Sequence, residues 1–191
     1  SSEEIASLAG AGVVNLQANT LTLNGGLDTV YSGVMSGAGS LVKAGAAVFT
    51  LSGANTFSGG VTLSEGAIQA GDNAALGTGT VTFSGGRISS DSATLRALAN
   101  EFVMSGTLAV GDSVNNGVLT LSGNVSLSTD TTLTVASAAT ISGIASGANS
   151  FTKLLVQRRS AHQNDVIVTN TLLFHGVNDD LHVRHCGGQQ R

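Results

Sequence analysis

The tetrapeptide Gly111-Asp112-Ser113-Val114 resembles a nucleophile motif of esterases, which makes Ser113 a candidate nucleophile in this chain. Ester hydrolysis through such a serine needs a histidine base and oxyanion donors that converge in a pocket. No histidine precedes His162, and the tetrapeptide falls in a turn between two predicted strands. We therefore interpret Ser113 as part of a corner and predict no catalytic residue there.

Paired carboxylates would allow a second chemistry, the cleavage of glycosides. Nine acidic residues are scattered over residues 1–150, and five of these mostly adjoin Gly or Asn at predicted corners: Asp28, Glu65, Asp72, Asp91 and Asp112. Only 4% of the residues are aromatic, so few side chains are present to stack on sugar rings. We expect these acids to be solvated turn residues rather than a catalytic pair.

Two segments could be compared with metal sites. Residues 25–28, Gly-Gly-Leu-Asp, resemble a calcium-binding nonapeptide but lack its second glycine spacing and its tandem repetition. His175, His182, His185 and Cys186 are zinc-donor types, although their spacing fits no recognised finger. We predict no metal site, no cofactor site and no enzymatic activity.

The distribution of charge argues against nucleic acid as a partner. Residues 1–150 hold only three basic residues, Lys43, Arg87 and Arg96, against nine acidic ones, so they carry a charge of −6. The last 41 residues carry +2, including Arg158-Arg159, which gives the net charge of −4. An acidic body offers no basic surface that could neutralise phosphates.

The elements that position these residues are predicted to be strands. The 191 residues include 26 Gly, no Pro and no Trp, and only 10% are charged, while Val, Thr, Leu and Ser are abundant. A hydrophobic content of 41% argues against disorder. No apolar run approaches the roughly 20 residues of a membrane-spanning helix, and no signal-like start is present, so we expect a soluble all-β chain. The single cysteine leaves the redox compartment open.

One phrase recurs before residue 150, in segments 20–26, 49–53, 61–66, 81–86 and 119–124. In each segment two apolar residues sit two apart and therefore share one face of a strand, with Thr and Ser on the other face. The apolar pairs are Leu21 and Leu23, Phe49 and Leu51, Val61 and Leu63, Val81 and Phe83, and Leu119 and Leu121. The glycines that follow suit sharp corners. At roughly 20 residues per turn, residues 1–150 would form about seven stacked coils.

The segment 91–104 also permits a helical interpretation. Leu95, Leu98 and Phe102 have near-helical spacing, with Asp91 as an N-cap. All neighbouring segments favour strands, so both alternatives stay open at this point.

Residues 37–71 closely resemble the autotransporter-associated β-strand repeat of bacterial autotransporter passenger domains. The resemblance combines the opening GAGSLVKAGA, the middle FTLSGANTFSGGVTL and the close GAIQAG, and weaker copies follow at 76–88, 107–124 and 139–153. It implies a right-handed parallel β-helix that is exported and then displayed or released at the outer membrane. It also implies a C-terminal translocator barrel, whose strands we do not find, so we expect this chain to be a fragment or an anchorless derivative.

The repeat breaks in the middle of a phrase at Lys153. We predict a β-helix over residues 1–153 and an atypical tail over 154–191. The tail is expected to come from a shifted reading frame, an artificial junction or a fusion, or to be disordered. The resemblance favours a structural or adhesive segment that contacts host cells, matrix or sister cells. The alternatives are a passenger enzyme with its active residues outside this segment and a passive spacer for export.

Overall fold

The computed structural model describes residues 2–143, 145–147, 149–155 and 168–173, and these form a parallel β-solenoid of about 7 turns. The strands of successive coils form three stacks, which we call stacks A, B and C. Within a stack, strands from successive coils pair in parallel, as where Leu21 lies beside Leu41 and Leu41 beside Val61. The all-β prediction and the number of coils are confirmed.

Stacks A and B, together with β19 (Val168–Leu173), form one 14-stranded sheet that is joined through β13 (Phe102–Val110). Stack A contains β1 (Ser2–Ile5), β3 (Thr20–Leu23), β6 (Ser40–Lys43), β8 (Val61–Leu63), β10 (Val81–Phe83), the first parts of β13 (Phe102–Val110) and β15 (Val125–Val135), and β17 (Ala145–Ser146). Stack B contains β4 (Thr29–Tyr31), β7 (Val48–Leu51), β9 (Ala67–Ala70), β11 (Arg87–Ser90), the second parts of β13 and β15, and β18 (Ser150–Leu155). The chain therefore turns from stack A to stack B within a single strand in β13 and β15.

Stack C is interrupted. It contains β2 (Val13–Asn15) paired with β5 (Val34–Ser36), and, further along, β12 (Arg96–Leu98), β14 (Leu119–Leu121) and β16 (Ala139–Ile141). We call the A-to-B turn the first corner, the B-to-C turn the second and the C-to-A turn the third.

The core lies inside the solenoid and consists of the inward residues of the three stacks. Nine of the ten residues predicted to face inward are buried, and Leu21 is half-buried against the core. Since parallel pairing keeps successive coils in register, the inward residues stack on like neighbours, as Phe49 does on Ile68. The period-2 pattern therefore predicts the core correctly.

Glycines stack on glycines at the corners. A Cβ built on Gly45 would lie 2.3 Å from the carbonyl oxygen of Gly25, and one on Gly53 would lie 2.0 Å from that of Gly33. Successive backbones approach too closely at these points for any side chain, which explains why the glycines recur with the period of the coils.

The segment 91–104 is not helical. Leu98 ends β12 and Phe102 begins β13, with a third corner between them, and both side chains are buried, whereas Leu95 is 57% exposed. Asp91 accepts a hydrogen bond from Arg96 at 3.1 Å and caps no helix. The helical alternative is wrong because the apparent period arises from inward residues on two strands of different stacks.

The last described coil ends with a change of direction. Strand β18 pairs in parallel with β15 on one side and antiparallel with β19 (Val168–Leu173) on the other. The predictions for the tail otherwise concern residues 156–167 and 174–191, which lie outside the described residues. Nowhere in the described chain is there a helix with the length and apolar character needed to span a bilayer.

Candidate functional site

The Gly-Asp-Ser segment forms the long second corner between β13 and β14, and its aspartate is a structural residue. Asp112 is only 7% exposed, its Oδ1 accepts hydrogen bonds from the N–H groups of Val114 at 2.7 Å and Asn115 at 3.2 Å, and its Oδ2 lies 2.9 Å from Arg87 Nη1. Burial raises the pKa of Asp112, but the two N–H donors and the charge of Arg87 together outweigh burial, so the pKa lies below the ordinary value of 3.8. The expectation of a solvated turn residue is wrong for Asp112, because the corner folds back over its own carboxylate.

Ser113 lies beside Asp112 and is exposed. None of the described residues is a histidine, so within them no imidazole lies near Ser113. The structure thus places this serine at the surface of a corner and brings no base to it within the described part of the chain.

Three further aspartates lie where the chain turns and hold main-chain groups. Asp28 Oδ1 accepts a hydrogen bond from Val48 N at 2.8 Å, in the following coil, and Asp72 Oδ1 accepts one from Ala74 N at 2.7 Å. Asp130, which the sequence analysis did not single out, does the same for Ser150 N at 2.8 Å. The carboxylates of these three aspartates fix the paths of corners and continue the main-chain ladder where the strands end. Glu65, by contrast, is exposed at a first corner.

The described residues contain no group of three or more His, Cys, Asp or Glu side chains arranged to hold a metal ion. Asp28, the acid of the segment compared with a calcium loop, is engaged with Val48 as described above. His175, His182, His185, Cys186 and the pair Arg158-Arg159 lie outside the described residues.

Lys43 is a buried cation that the sequence analysis missed. It lies between Leu23 and Leu63 in an inward column, is 2% exposed, and donates a hydrogen bond from Nζ to the carbonyl oxygen of Gly45. Burial lowers its pKa, while the charges of Glu65 and Asp28 oppose that shift. The signal was present in the sequence, because Lys43 is two residues from the inward Leu41.

Stack A presents a continuous column of small side chains to solvent, which we call the outer column. Pairing places its members side by side in successive coils: Thr22, Val42, Thr62, Thr82, Val103, Ser126 and Ser146. None is charged, and the nearest acid in register is Glu4 in the first coil. The result is a flat, uncharged strip whose residues repeat at the spacing of the coils, about 4.8 Å.

A second set of exposed hydroxyl groups links successive coils. The Oγ atoms of Ser64, Ser84 and Ser128 each donate at 3.3 Å to a carbonyl oxygen of the preceding coil, namely that of Lys43, Leu63 and Met104. These serines face water, as expected for the outer face of the strands, and they also stabilise the stacking of coils.

Residues 41–70, which cover β6 to β9 and one full coil, match the family of the passenger-associated-transport-repeat. These residues are an autotransporter passenger repeat. The match lies inside the run 37–71, and in the structure the repeat is one coil plus the strands that begin the next. Neither the search of curated proteins nor the search of solved structures gave a match. The passenger repeat implies an exported protein.

Proposed function

We propose that this chain is a structural, adhesive segment of an autotransporter passenger at the bacterial surface or in the surrounding medium. It would hold cells to host surfaces, to matrix or to sister cells, and it would act without catalysis, cofactors or nucleic acid. The passenger repeat supports the export, and the rigid stack of coils supports the structural part of this role.

The outer column of stack A is the observation that carries the adhesive part. Its seven uncharged residues span about 29 Å at the spacing of parallel strands, and three residues of each strand give a width of about 10 Å. Charges that would have to be desolvated or paired are absent along this strip. A flat surface of this kind can lie against a second copy or another flat surface.

The area of the strip also predicts how strong the adhesion is. Roughly 300 Å² is well below the about 800 Å² per partner of a stable interface, so a single contact would be weak. Many copies on one cell would act together, since each further contact forms at a high effective concentration. Adhesion should therefore depend steeply on the density of the displayed chain.

The experiment compares two double variants on beads coated with the full chain. Thr62→Lys with Thr82→Lys places charges in the middle of the outer column, whereas Ala54→Lys with Thr56→Lys places the same charges on exposed positions near stack C. We expect clumping of the coated beads, and their retention on cells, to be lost in the first variant and kept in the second at equal circular dichroism. Equal retention by both variants would exclude the outer column.

A passive spacer is the second candidate, favoured by the regular register of the coils. In that case the unaltered chain would show no more clumping or retention than an unrelated β-protein coated at the same density. Ester or polysaccharide turnover by the purified chain would instead support an enzyme.

A further inference from the structure

The sequence contains two Asn-Gly steps, Asn24-Gly25 and Asn116-Gly117, and the structure treats them differently. An Asn-Gly step is chemically labile because glycine has no side chain to hinder attack by its own nitrogen on the asparagine side chain. We propose that Asn24 is a site of spontaneous deamidation, and that its conversion weakens the contact between the first two coils.

The nucleophile of this reaction is available at Gly25. Asn24 is exposed at the first corner that follows β3, and the N–H of Gly25 has no hydrogen-bond partner among the described residues. The next residue, Gly26, has open space around it, since a Cβ built there would meet nothing within 4 Å. Gly25 itself packs closely against Ala6, whose carbonyl oxygen a Cβ on Gly25 would meet at 1.9 Å, so the nucleophile is available because its N–H is not engaged and not because the main chain is loosely held.

The corresponding nucleophile of the second step, the main-chain nitrogen of Gly117, is already engaged in a hydrogen bond. Its N–H donates to the carbonyl oxygen of Ser92 at 2.9 Å. Gly117 is buried, whereas Gly25 is only half-buried, although Asn116 itself is exposed. Attack at this step would first require the corner to open, so Asn116 should react more slowly.

The reaction consumes only water. The main-chain nitrogen of Gly25 gives up its proton and bonds to Cγ of Asn24, the Cγ–Nδ2 bond breaks, and ammonia leaves with that proton. Water then adds to either carbonyl carbon of the five-membered imide and breaks one carbon–nitrogen bond. The products are aspartate or isoaspartate at position 24.

The product changes a contact between coils. Asn24 Nδ2 donates to Glu4 Oε1 at 3.0 Å, and Asn24 N donates to the carbonyl oxygen of Ile5 at 3.1 Å. After deamidation a carboxylate replaces the Nδ2 donor and faces the carboxylate of Glu4, so a hydrogen bond becomes a like-charge contact. Isoaspartate would also lengthen the main chain at this corner, where Gly25 packs against Ala6.

The first test follows both sites by peptide mass spectrometry while the folded full chain is held at mildly alkaline pH and 37 °C. We expect acid and isoaspartate to accumulate at residue 24 several-fold faster than at residue 116. The unfolded chain in denaturant is the control, and there the two steps should react at similar rates. Equal rates in the folded chain, or a faster reaction at Asn116, would overturn the assignment.

The second test concerns the consequence. Asn24→Asp represents the product, and Asn24→Gln keeps an amide that cyclises far more slowly. We expect amide hydrogen exchange in β1 and β3 to be several-fold faster in Asn24→Asp than in Asn24→Gln, with exchange in β8 and β10 unchanged. Identical exchange in β1 and β3 of the two variants would refute the weakening of the first coil.

Discussion

Asn55 Oδ1 accepts a hydrogen bond from the main-chain N–H of Met35 at 2.7 Å, deep between two coils. Asn55 Nδ2 donates to the carbonyl oxygen of Ala75 at 2.6 Å, in the coil on the other side. One buried amide thus joins three successive coils at a place where stack C has no paired strands. Its side chain adds to the main-chain hydrogen bonds that continue here, from Asn55 N to the carbonyl oxygen of Ala74 at 3.1 Å and from Thr56 N to that of Met35 at 2.9 Å.

Replacement of Asn55 by alanine should destabilise the chain strongly. Asn55→Ala leaves the N–H of Met35 and the carbonyl of Ala75 buried without this partner, at about 1–3 kcal/mol for each group. We expect a loss of about 2–5 kcal/mol in the free energy of unfolding, measured with urea. The exposed neighbour provides the control, because Thr56→Ala should change stability by less than about 0.5 kcal/mol. Similar urea midpoints for both variants would contradict this role of Asn55.

The glycines that stack at the corners predict opposite effects on stability for alanine substitutions at two nearby positions. A Cβ at Gly45 would lie 2.3 Å from the main-chain oxygen of Gly25, which cannot move without separating the coils, whereas a Cβ at Gly26 would meet nothing within 4 Å. Gly45→Ala should therefore cost about 1–3 kcal/mol of stability. Gly26→Ala should be neutral or stabilise by up to about 1 kcal/mol. Thermal unfolding of the two variants checks this, and equal losses would show that the corners relax freely.

Lys43 should make stability depend on pH in the alkaline range. Folding lowers its pKa below the ordinary value of 10.5, so between the two values the unfolded chain binds more protons and the free energy of unfolding rises with pH. Below the folded pKa, Lys43 is protonated in both states and contributes no slope. We expect the difference in stability between the unaltered chain and Lys43→Met to grow in favour of the unaltered chain up to pH 10.5.

The comparison with Lys43→Met is needed because Tyr31 titrates in the same range. Burial raises the pKa of Tyr31, and a hydrogen bond from the main chain near Val14 opposes this, so Tyr31 stabilises the folded state less as pH rises above 10.0. The two chains share this effect, and subtraction removes it. Urea unfolding at a series of pH values gives the difference, and a flat difference would mean that Lys43 is not desolvated.

Asp112 should contribute stability that is lost in acid. Its folded pKa lies below the ordinary 3.8, so its contribution is complete above pH 3.8 and disappears as the pH falls through the folded pKa. Asp112→Asn keeps an acceptor for Val114 but removes the charge that faces Arg87, whose side chain is 37% exposed. We expect a loss of about 1 kcal/mol at neutral pH that vanishes in acid.

The neighbouring Ser113 supplies the control for this corner. Ser113→Ala changes an exposed side chain and should alter stability by less than about 0.5 kcal/mol at any pH. If Asp112→Asn and Ser113→Ala had the same pH profile, the ion pair with Arg87 would contribute nothing to folding.

Much of the fold could be predicted because the solenoid is specified by local patterns. The alternation in segments such as 61–63 and 81–83 identifies inward residues, and in a parallel stack each pair needs only its neighbours to be buried. The sequence left two alternatives open at 91–104, where a corner between two stacks produced a helix-like spacing. Local patterns alone cannot separate these alternatives, because Leu98 and Phe102 are buried in either of them.

The sequence by itself determined the strands, the corners, the number of coils and the resemblance to a passenger repeat, since all of these depend on short-range order and recurrence. Only the tertiary structure decided what the polar residues do. Asp112, Asn55 and Lys43 look like ordinary corner or surface residues in the sequence, yet all three are buried. Their partners lie a full coil away or across a corner, and that distance is set by register, which depends on how every earlier coil has closed.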